Sequence, residues 1–398
     1  MQIVIAGGGP AGATCARTLA RAGIRSVLIE ASPDGEKPCA GGIPSILLDR
    51  YPLPDLLVRQ RTTGVVFRAP SGLEVSADFP NGLFIGTVQR LDFDRHLRWS
   101  AEDAGAHVVQ GRVFGFEDKG AHLLVRYRDP EGNIHTTEAD FLVGADGASS
   151  RVARQVMGSP LPVVLGIQEE IALPEDQVGK LENRCLFDYS PAVSPDYYGW
   201  IFPKGDRVSV GVGTHLANRE RIDDFLLRMK QVHADLLAGG RVLKRNGGMI
   251  PCARYPRHGR HRVLLTGDAA GLVLPACGEG IYFAMRSGEI AAEVIKRIGK
   301  TRPEIVAGLY TDLVNAEFGP IFKYFTKVER LAFKSVISRE VFVRLARDHF
   351  MAQKILRAFA GKRRLRTPPL KKLIVALKLL GIRLEVAFSV SRRPGFGE

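Results

Sequence analysis

Apolar residues fall in three rhythms along this chain, and each rhythm predicts a different architecture. At the N-terminus a solid apolar run (QIVIAG) is followed by glycines (GGPAG), a helical segment (ATCARTLARAG) and a second apolar run (SVLIE). That order is strand, turn, helix, strand, a βαβ opening. A glycine- and proline-rich stretch, SPDGEKPCAGGIP, then marks irregular backbone. The second rhythm has period two: GVVFRAP, RCLFDY, WIFP and RVSVGVG alternate as half-buried strands do. Strand–helix character returns in FLVGADG and VLLTGDAAG, and from about Arg286 onward the spacing is helical. The strand–helix domain is therefore interrupted. It takes residues 1–60, 87–160 and 247–300; an inserted antiparallel β-sheet substrate domain takes 61–86 and 161–246; a helical C-terminal region covers 301–398. No internal repeat or low-complexity tract breaks this scheme.

One period-two run stands apart, Pro195 to Lys204 (PDYYGWIFPK). Tyr198, Trp200 and Phe202 recur every second residue, which in a strand puts three rings on one face. Prolines bound the run, so it reads as a short strand that stops before Lys204. Such a wall either packs a sheet face or binds something flat or greasy.

Composition narrows the class. The chain has 398 residues, 45% of them hydrophobic, enough for a large core and two or three domains. No stretch reaches the roughly 18 uninterrupted apolar residues of a membrane span, and the N-terminus enters a strand at once with no leader pattern. The expectation is a cytoplasmic protein. Cysteines 15, 39, 185, 252 and 277 form no CxxC pair, so no metal site or disulfide framework is expected. The net charge of +14 suits an anionic partner. Part of the surplus is local: between Gly361 and Leu384 there are eight Lys/Arg and no acidic residue. There Leu370, Leu373, Ile374, Leu377, Leu380 and Leu384 approximate one helical face, a pattern for a docked terminal helix or for a peripheral membrane helix with cations at anionic headgroups. The tail has few aromatics and no nucleic-acid-binding motif, so nucleic acid is not expected as a partner.

Gly7, Gly9 and Gly12 form GxGxxG directly after the first strand and at the start of a helix. The first glycine allows the turn, the second lets backbone approach a pyrophosphate, and the third lets helix and strand pack closely. The helix N-terminus offers free N–H groups to phosphates. Glu30 ends the next strand, 18 residues after Gly12, where a carboxylate can accept from a ribose diol. Two further strands, in LVGADGASSR and RVLLTGDAAGLVLPACGEGI, end in aspartates among small residues. Asp268 is placed to hold ribityl hydroxyls, and the Gly278–Gly280–Ile281 turn to aim N–H groups at an isoalloxazine edge. Together these predict an α/β fold with a Rossmann-like FAD-binding domain.

These segments resemble the three FAD fingerprints of the para-hydroxybenzoate-hydroxylase-like flavoproteins, in order, over roughly residues 1–300. The resemblance implies FAD with its adenosine ribose on Glu30, pyrophosphate along Gly9, Ala11 and Gly12, ribityl near Asp268, and Arg90 reaching the flavin. No second GxGxxG follows a strand, so NADPH, the implied co-substrate, would bind without its own Rossmann domain. Within that fold PDYYGWIFPK is similar to the PxxYxWxFPK signature of geranylgeranyl reductases at every specified position. KPCAGGIP, carrying Cys39 and Gly41, and ACGEGIYFAMRSGE resemble two loops of the same group, with Ala40 where a glycine is usual. The likeness is to enzymes that reduce the geranylgeranyl chain of (bacterio)chlorophyll to phytyl. It implies a prenylated small-molecule or pigment substrate, lined by Tyr198, Trp200 and Phe202, with Tyr198 and Trp200 in catalytic roles. It also sets Cys39 and Cys277 in loops against the flavin. Competing readings are a reductase of lipid or quinone prenyl chains, an aromatic monooxygenase, and a non-catalytic flavin protein.

Overall fold

The computed structural model describes residues 1–361 together with residues 381, 382 and 386. The basic tail from Lys362, with the Leu370–Leu384 face, lies outside the described residues. The chain divides into two compact units. The first comprises Met1–Lys37, Gln89–Val164 and Met249–Pro320, and the second Pro38–Val88, Leu165–Gly248 and the chain from Ile321.

The first unit is built on a six-stranded sheet. Its strands run in the order Gly259–Arg260, Val263–Leu265, Phe141–Gly144, Gln2–Ala6, Arg25–Glu30 and His107–Gln110. All pairs are parallel except the edge pair of Gly259–Arg260 with Val263–Leu265. Ile3 to Ala6 and Phe141 to Gly144 are buried on both faces, which explains their solid apolar runs. Helix Pro10–Arg21 packs against helix Ile281–Ile298, so closely that a Cβ on Gly288 would overlap the Ala11 carbonyl. A three-stranded antiparallel sheet, Arg112–Asp118, Leu123–Arg128 and Ile134–Ala139, completes this unit's strands.

The second unit carries a seven-stranded sheet in the order Arg241–Pro251, Val163–Ala172, Arg207–His215, Gly199–Pro203, Arg184–Asp188, Gly64–Arg68 and Glu74–Asp78. The expected antiparallel pattern holds for the pairs around the aromatic run but not throughout. Arg184–Asp188 pairs parallel with Gly64–Arg68. No hairpin joins these two strands, which lie far apart in sequence, so nothing local imposes the antiparallel sense. Alternate residues divide the sheet into two faces. One is aliphatic: Ile171, Leu186, Ile201, Val208, Val210 and Val212 pack with Phe225, Leu226 and Met229 of helix Ile222–Val232. The other carries the rings. A smaller sheet of Gly42–Pro44, Ile85–Val88 and Val58–Thr62 and helices Val336–Leu345 and His349–Gly361 belong to the same unit. Among the described residues no helix is long and apolar enough to cross a membrane.

Candidate active site

The glycine turn has the geometry its spacing predicts. Gly7 holds φ +100°, and a Cβ on Gly12 would overlap the Gly7 carbonyl oxygen. A Cβ on Gly9, by contrast, would meet nothing within 4 Å. The helix that begins at Pro10 has no side-chain cap and no acidic residue in its first turn. Its N-terminus is thus left to an anion. Glu30 stands beside it: its Oε2 accepts from Gly8 N at 2.5 Å and its Oε1 from Ser32 N at 2.7 Å. Each oxygen keeps a second lone pair for a ribose hydroxyl. Ala11 is buried, with its Cβ 3.2 Å from where a Gly267 Cβ would lie. Open space at Gly9, an uncapped N-terminus and an adjacent carboxylate fit the adenosine and pyrophosphate half of FAD.

Asp268 sits in the turn after strand Val263–Leu265, and its Oδ1 would lie 3.2 Å from a Cβ on Gly280. Its other oxygen takes a bond from Lys37 Nζ at 2.5 Å, a partner the sequence did not single out. Gly280 caps helix Ile281–Ile298, whose first residue, Ile281, is buried. Gly278 has φ +63°, and Ala276 holds φ +68° despite its Cβ. Left-handed backbone at a non-glycine residue costs energy and recurs at ligand sites. Asp146, in the second fingerprint, caps helix Arg151–Met157 by accepting from Ser150 Oγ and Arg151 N, while burial pushes its carboxyl upward. Arg90 is buried and pairs with Asp94 on its own helix, Nη2 to Oδ2 at 2.7 Å. The same helix supplies a second buried arginine that sequence reasoning missed. Arg98 donates to the Gly8 carbonyl at 3.2 Å and the Pro33 carbonyl at 2.5 Å, which holds the glycine turn from behind.

In the second unit Tyr198, Trp200 and Phe202 do share one face, and each is less than a tenth exposed. Strand register extends the wall beyond the signature. Phe67, Phe187, Trp200 and Gly211 lie directly opposite one another on four neighbouring strands. Phe187 meets Phe202 edge-on at 5.3 Å and lies tilted against Tyr198 at 5.7 Å, and Tyr198 meets Trp200 edge-on at 6.1 Å. Tyr197 stacks on Tyr198 at 4.5 Å, and Phe333 stacks on Tyr197 at 6.0 Å. Room for these rings is made by glycines: a Cβ on Gly211 would overlap the Trp200 indole, and one on Gly213 the Tyr197 ring. That Gly-x-Gly, two residues apart on the next strand, was a readable signal for the wall.

Polar groups hold the wall's margins. Lys204 Nζ pairs with Glu170 Oε1 at 3.0 Å with both side chains buried. Thr87 Oγ1 donates to the Pro203 carbonyl at 2.7 Å. Cys39 Sγ accepts from Gly41 N at 3.3 Å, Gly41 has φ +78°, and its carbonyl accepts from Val88 N at 2.9 Å. Arg339, buried on helix Val336–Leu345, donates to the carbonyls of Tyr189, Ser194 and Pro195 at 3.2, 2.6 and 2.7 Å. It thereby fixes the turn that delivers Tyr197 and Tyr198. Cys277 belongs to the first unit, where its thiol donates to the Leu274 carbonyl at 3.8 Å.

A parallel nucleotide-type sheet carrying these turns, with a second sheet bearing a ring wall, defines a flavin-dependent oxidoreductase. A family model described as lycopene cyclase protein matches residues 2–361. Over 397 residues the chain is 32% identical to the chloroplastic geranylgeranyl diphosphate reductase of Oryza sativa subsp. japonica, covering 96% of this chain and 86% of that one. It is also 32% identical over 378 residues to the geranylgeranyl diphosphate reductase of Rhodobacter capsulatus, covering 94% and 95%. The crystal structure of a geranylgeranyl bacteriochlorophyll reductase-like protein from Thermoplasma acidophilum shares the fold, with a TM-score of 0.70, 21% identity and 98% of each chain covered. The chain belongs to the geranylgeranyl reductase family.

Proposed function

We propose that this protein is an FAD-dependent reductase that saturates isolated C=C bonds of a geranylgeranyl chain to phytyl, on (bacterio)chlorophyll(ide) or geranylgeranyl diphosphate, with NADPH as electron donor. The observation that carries the reading is the ring row of Phe67, Phe187 and Trp200, continued by Tyr198 and Phe202, in a chain of this family. The first unit would bind FAD through Gly7, Gly9, Ala11, Gly12, Glu30 and Asp268, and the second unit would bind the chain. Reduced FAD, when bound, supplies a hydride. The rings bury apolar chain surface and attract the positive charge that develops on a tertiary carbon when hydride and proton add to the alkene. Their burial keeps water from that carbon.

The test is an anaerobic incubation of FAD-loaded protein and NADPH with geranylgeranyl diphosphate or geranylgeranylated pigment, with product masses counted in added pairs of hydrogens. Added pairs on either substrate support the reading. Reduction confined to lipid- or quinone-borne chains would assign the related lipid activity. Oxygen-consuming NADPH oxidation stimulated by an aromatic ligand would assign a monooxygenase, and FAD that no nicotinamide reduces would leave only flavin binding. The basic tail is proposed to hold the protein at an anionic membrane surface. Co-sedimentation with anionic vesicles that persists after truncation at Ala360 would refute that.

A further inference from the structure

On the ring face, beside the wall, runs a line of polar side chains that the family signature does not contain. Trp200 Nε1 donates to Ser209 Oγ at 3.4 Å, Ser209 Oγ donates to Gln168 Oε1 at 3.0 Å, and Gln168 Nε2 donates to the Cys39 carbonyl at 3.1 Å. Ser209 is fully buried and Gln168 is 3% exposed. Gln168 lies on strand Val163–Ala172, whose Leu165, Ile167 and Ile171 serve the aliphatic face. Alternation therefore turns Gln168 to the ring face, among aromatic side chains.

An amide in such a place costs free energy unless both of its ends are bonded. Here one orientation alone serves both: the oxygen takes the serine hydroxyl and the nitrogen gives to a carbonyl, which can only accept. The line is directional. It starts at the indole of the central ring and ends on the backbone of the Cys39–Gly42 loop. Lys204 reaches the same loop, its Cε 3.4 Å from where a Gly41 Cβ would lie.

We propose that Gln168 is a positioning residue that sets specificity: it locks the Trp200 indole to the Cys39 loop, and so fixes where a bound prenyl chain lies and how many of its double bonds are reduced. This rests on the wall being the prenyl site. Gln168→Leu removes both bonds at nearly constant volume. Gln168→Glu offers a switchable replacement, because a protonated carboxyl has the acceptor and the donor the line requires and a carboxylate lacks the donor.

Two readouts test it. In a Trp99→Phe background Trp200 is the one remaining tryptophan, so its emission reports the indole without any turnover. Gln168→Leu is expected to shift that emission at every pH, and Gln168→Glu to shift it only at high pH, with return to the parent spectrum as pH falls. Product masses from the FAD-loaded full chain are expected to follow: partly reduced chains with Gln168→Leu, and a pattern that recovers toward wild type at low pH with Gln168→Glu. Wild-type emission and wild-type products from folded Gln168→Leu would overturn the proposal. So would a Gln168→Glu variant whose emission and products follow the wild-type pH profile. If wild type reduces no prenyl chain, the functional reading fails, and the emission series still decides whether the indole is locked through Gln168.

Discussion

The two faces of the seven-stranded sheet are made by the same strands and differ in what they require. On the aliphatic face Ile201, Val208, Val210 and Val212 fill space against helix Ile222–Val232, and any well-fitted apolar set would do the same. On the ring face the residues are specific in ways that packing alone does not demand. Glycines at 211 and 213 leave room for an indole and a phenol, a buried amide bridges to a loop, and a lysine–glutamate pair is taken out of water. Buried ion pairs and bridging amides are poor devices for stability, since an apolar replacement of similar volume is often neutral or better. Buried charge occurs on both faces, since Asp188, on the aliphatic side, meets Arg68 at 3.2 Å and His233 at 2.9 Å; the glycine clearances and the bridging amide are what set the ring face apart.

Sequence neighbours separate the faces most sharply. Ile201→Ala is expected to cost about 2–5 kcal/mol of unfolding free energy, read by denaturant titration, with turnover per folded molecule little changed. Trp200→Leu is expected to lower prenyl reduction by about tenfold to thirtyfold, the worth of roughly 1.4–2 kcal/mol of cation–ring attraction in a dry site, with FAD content retained. Equal activity losses from both variants would erase the distinction. Gly211→Ala forces a methyl group into the Trp200 indole and is expected to cost about 1–3 kcal/mol of stability and to shift Trp200 emission. Glu30→Gln, in the first unit, is expected to weaken FAD by about tenfold in equilibrium titration through loss of a charge-assisted bond, and to leave the wall's emission unchanged. Tyr198→Phe keeps the ring and loses only the hydroxyl, so it is expected to slow turnover by less than about tenfold. A larger loss would assign the hydroxyl, rather than the ring, to the chemistry.

Much of this arrangement was legible in the sequence where cause and effect are local. The Gly7–Gly12 turn, Glu30 at a strand end, and rings at Tyr198, Trp200 and Phe202 each follow from spacing within a few residues. What stayed hidden depends on pairing between distant segments. Phe67 and Phe187 join the wall only because their strands run parallel side by side. Lys37 finds Asp268, and Arg339 finds the turn before Tyr197, across gaps no periodicity encodes. Gln168 reads as the first of three polar residues, Gln168 to Glu170, in strand Val163–Ala172, and its meaning comes from Ser209 and Cys39. The parallel strand pair was missed for the same reason.

The ring face as the seat of the prenyl chain is tested most directly by photolabelling. A geranylgeranyl diphosphate analogue with a diazirine in its chain is irradiated with the FAD-loaded protein, and the labelled peptides are sequenced. Adducts within Arg184–Asp188 and Tyr198–Lys204, suppressed by excess geranylgeranyl diphosphate, are the expected result. Competable adducts confined to helix Ile222–Val232 and the aliphatic face, or none that compete, would contradict it.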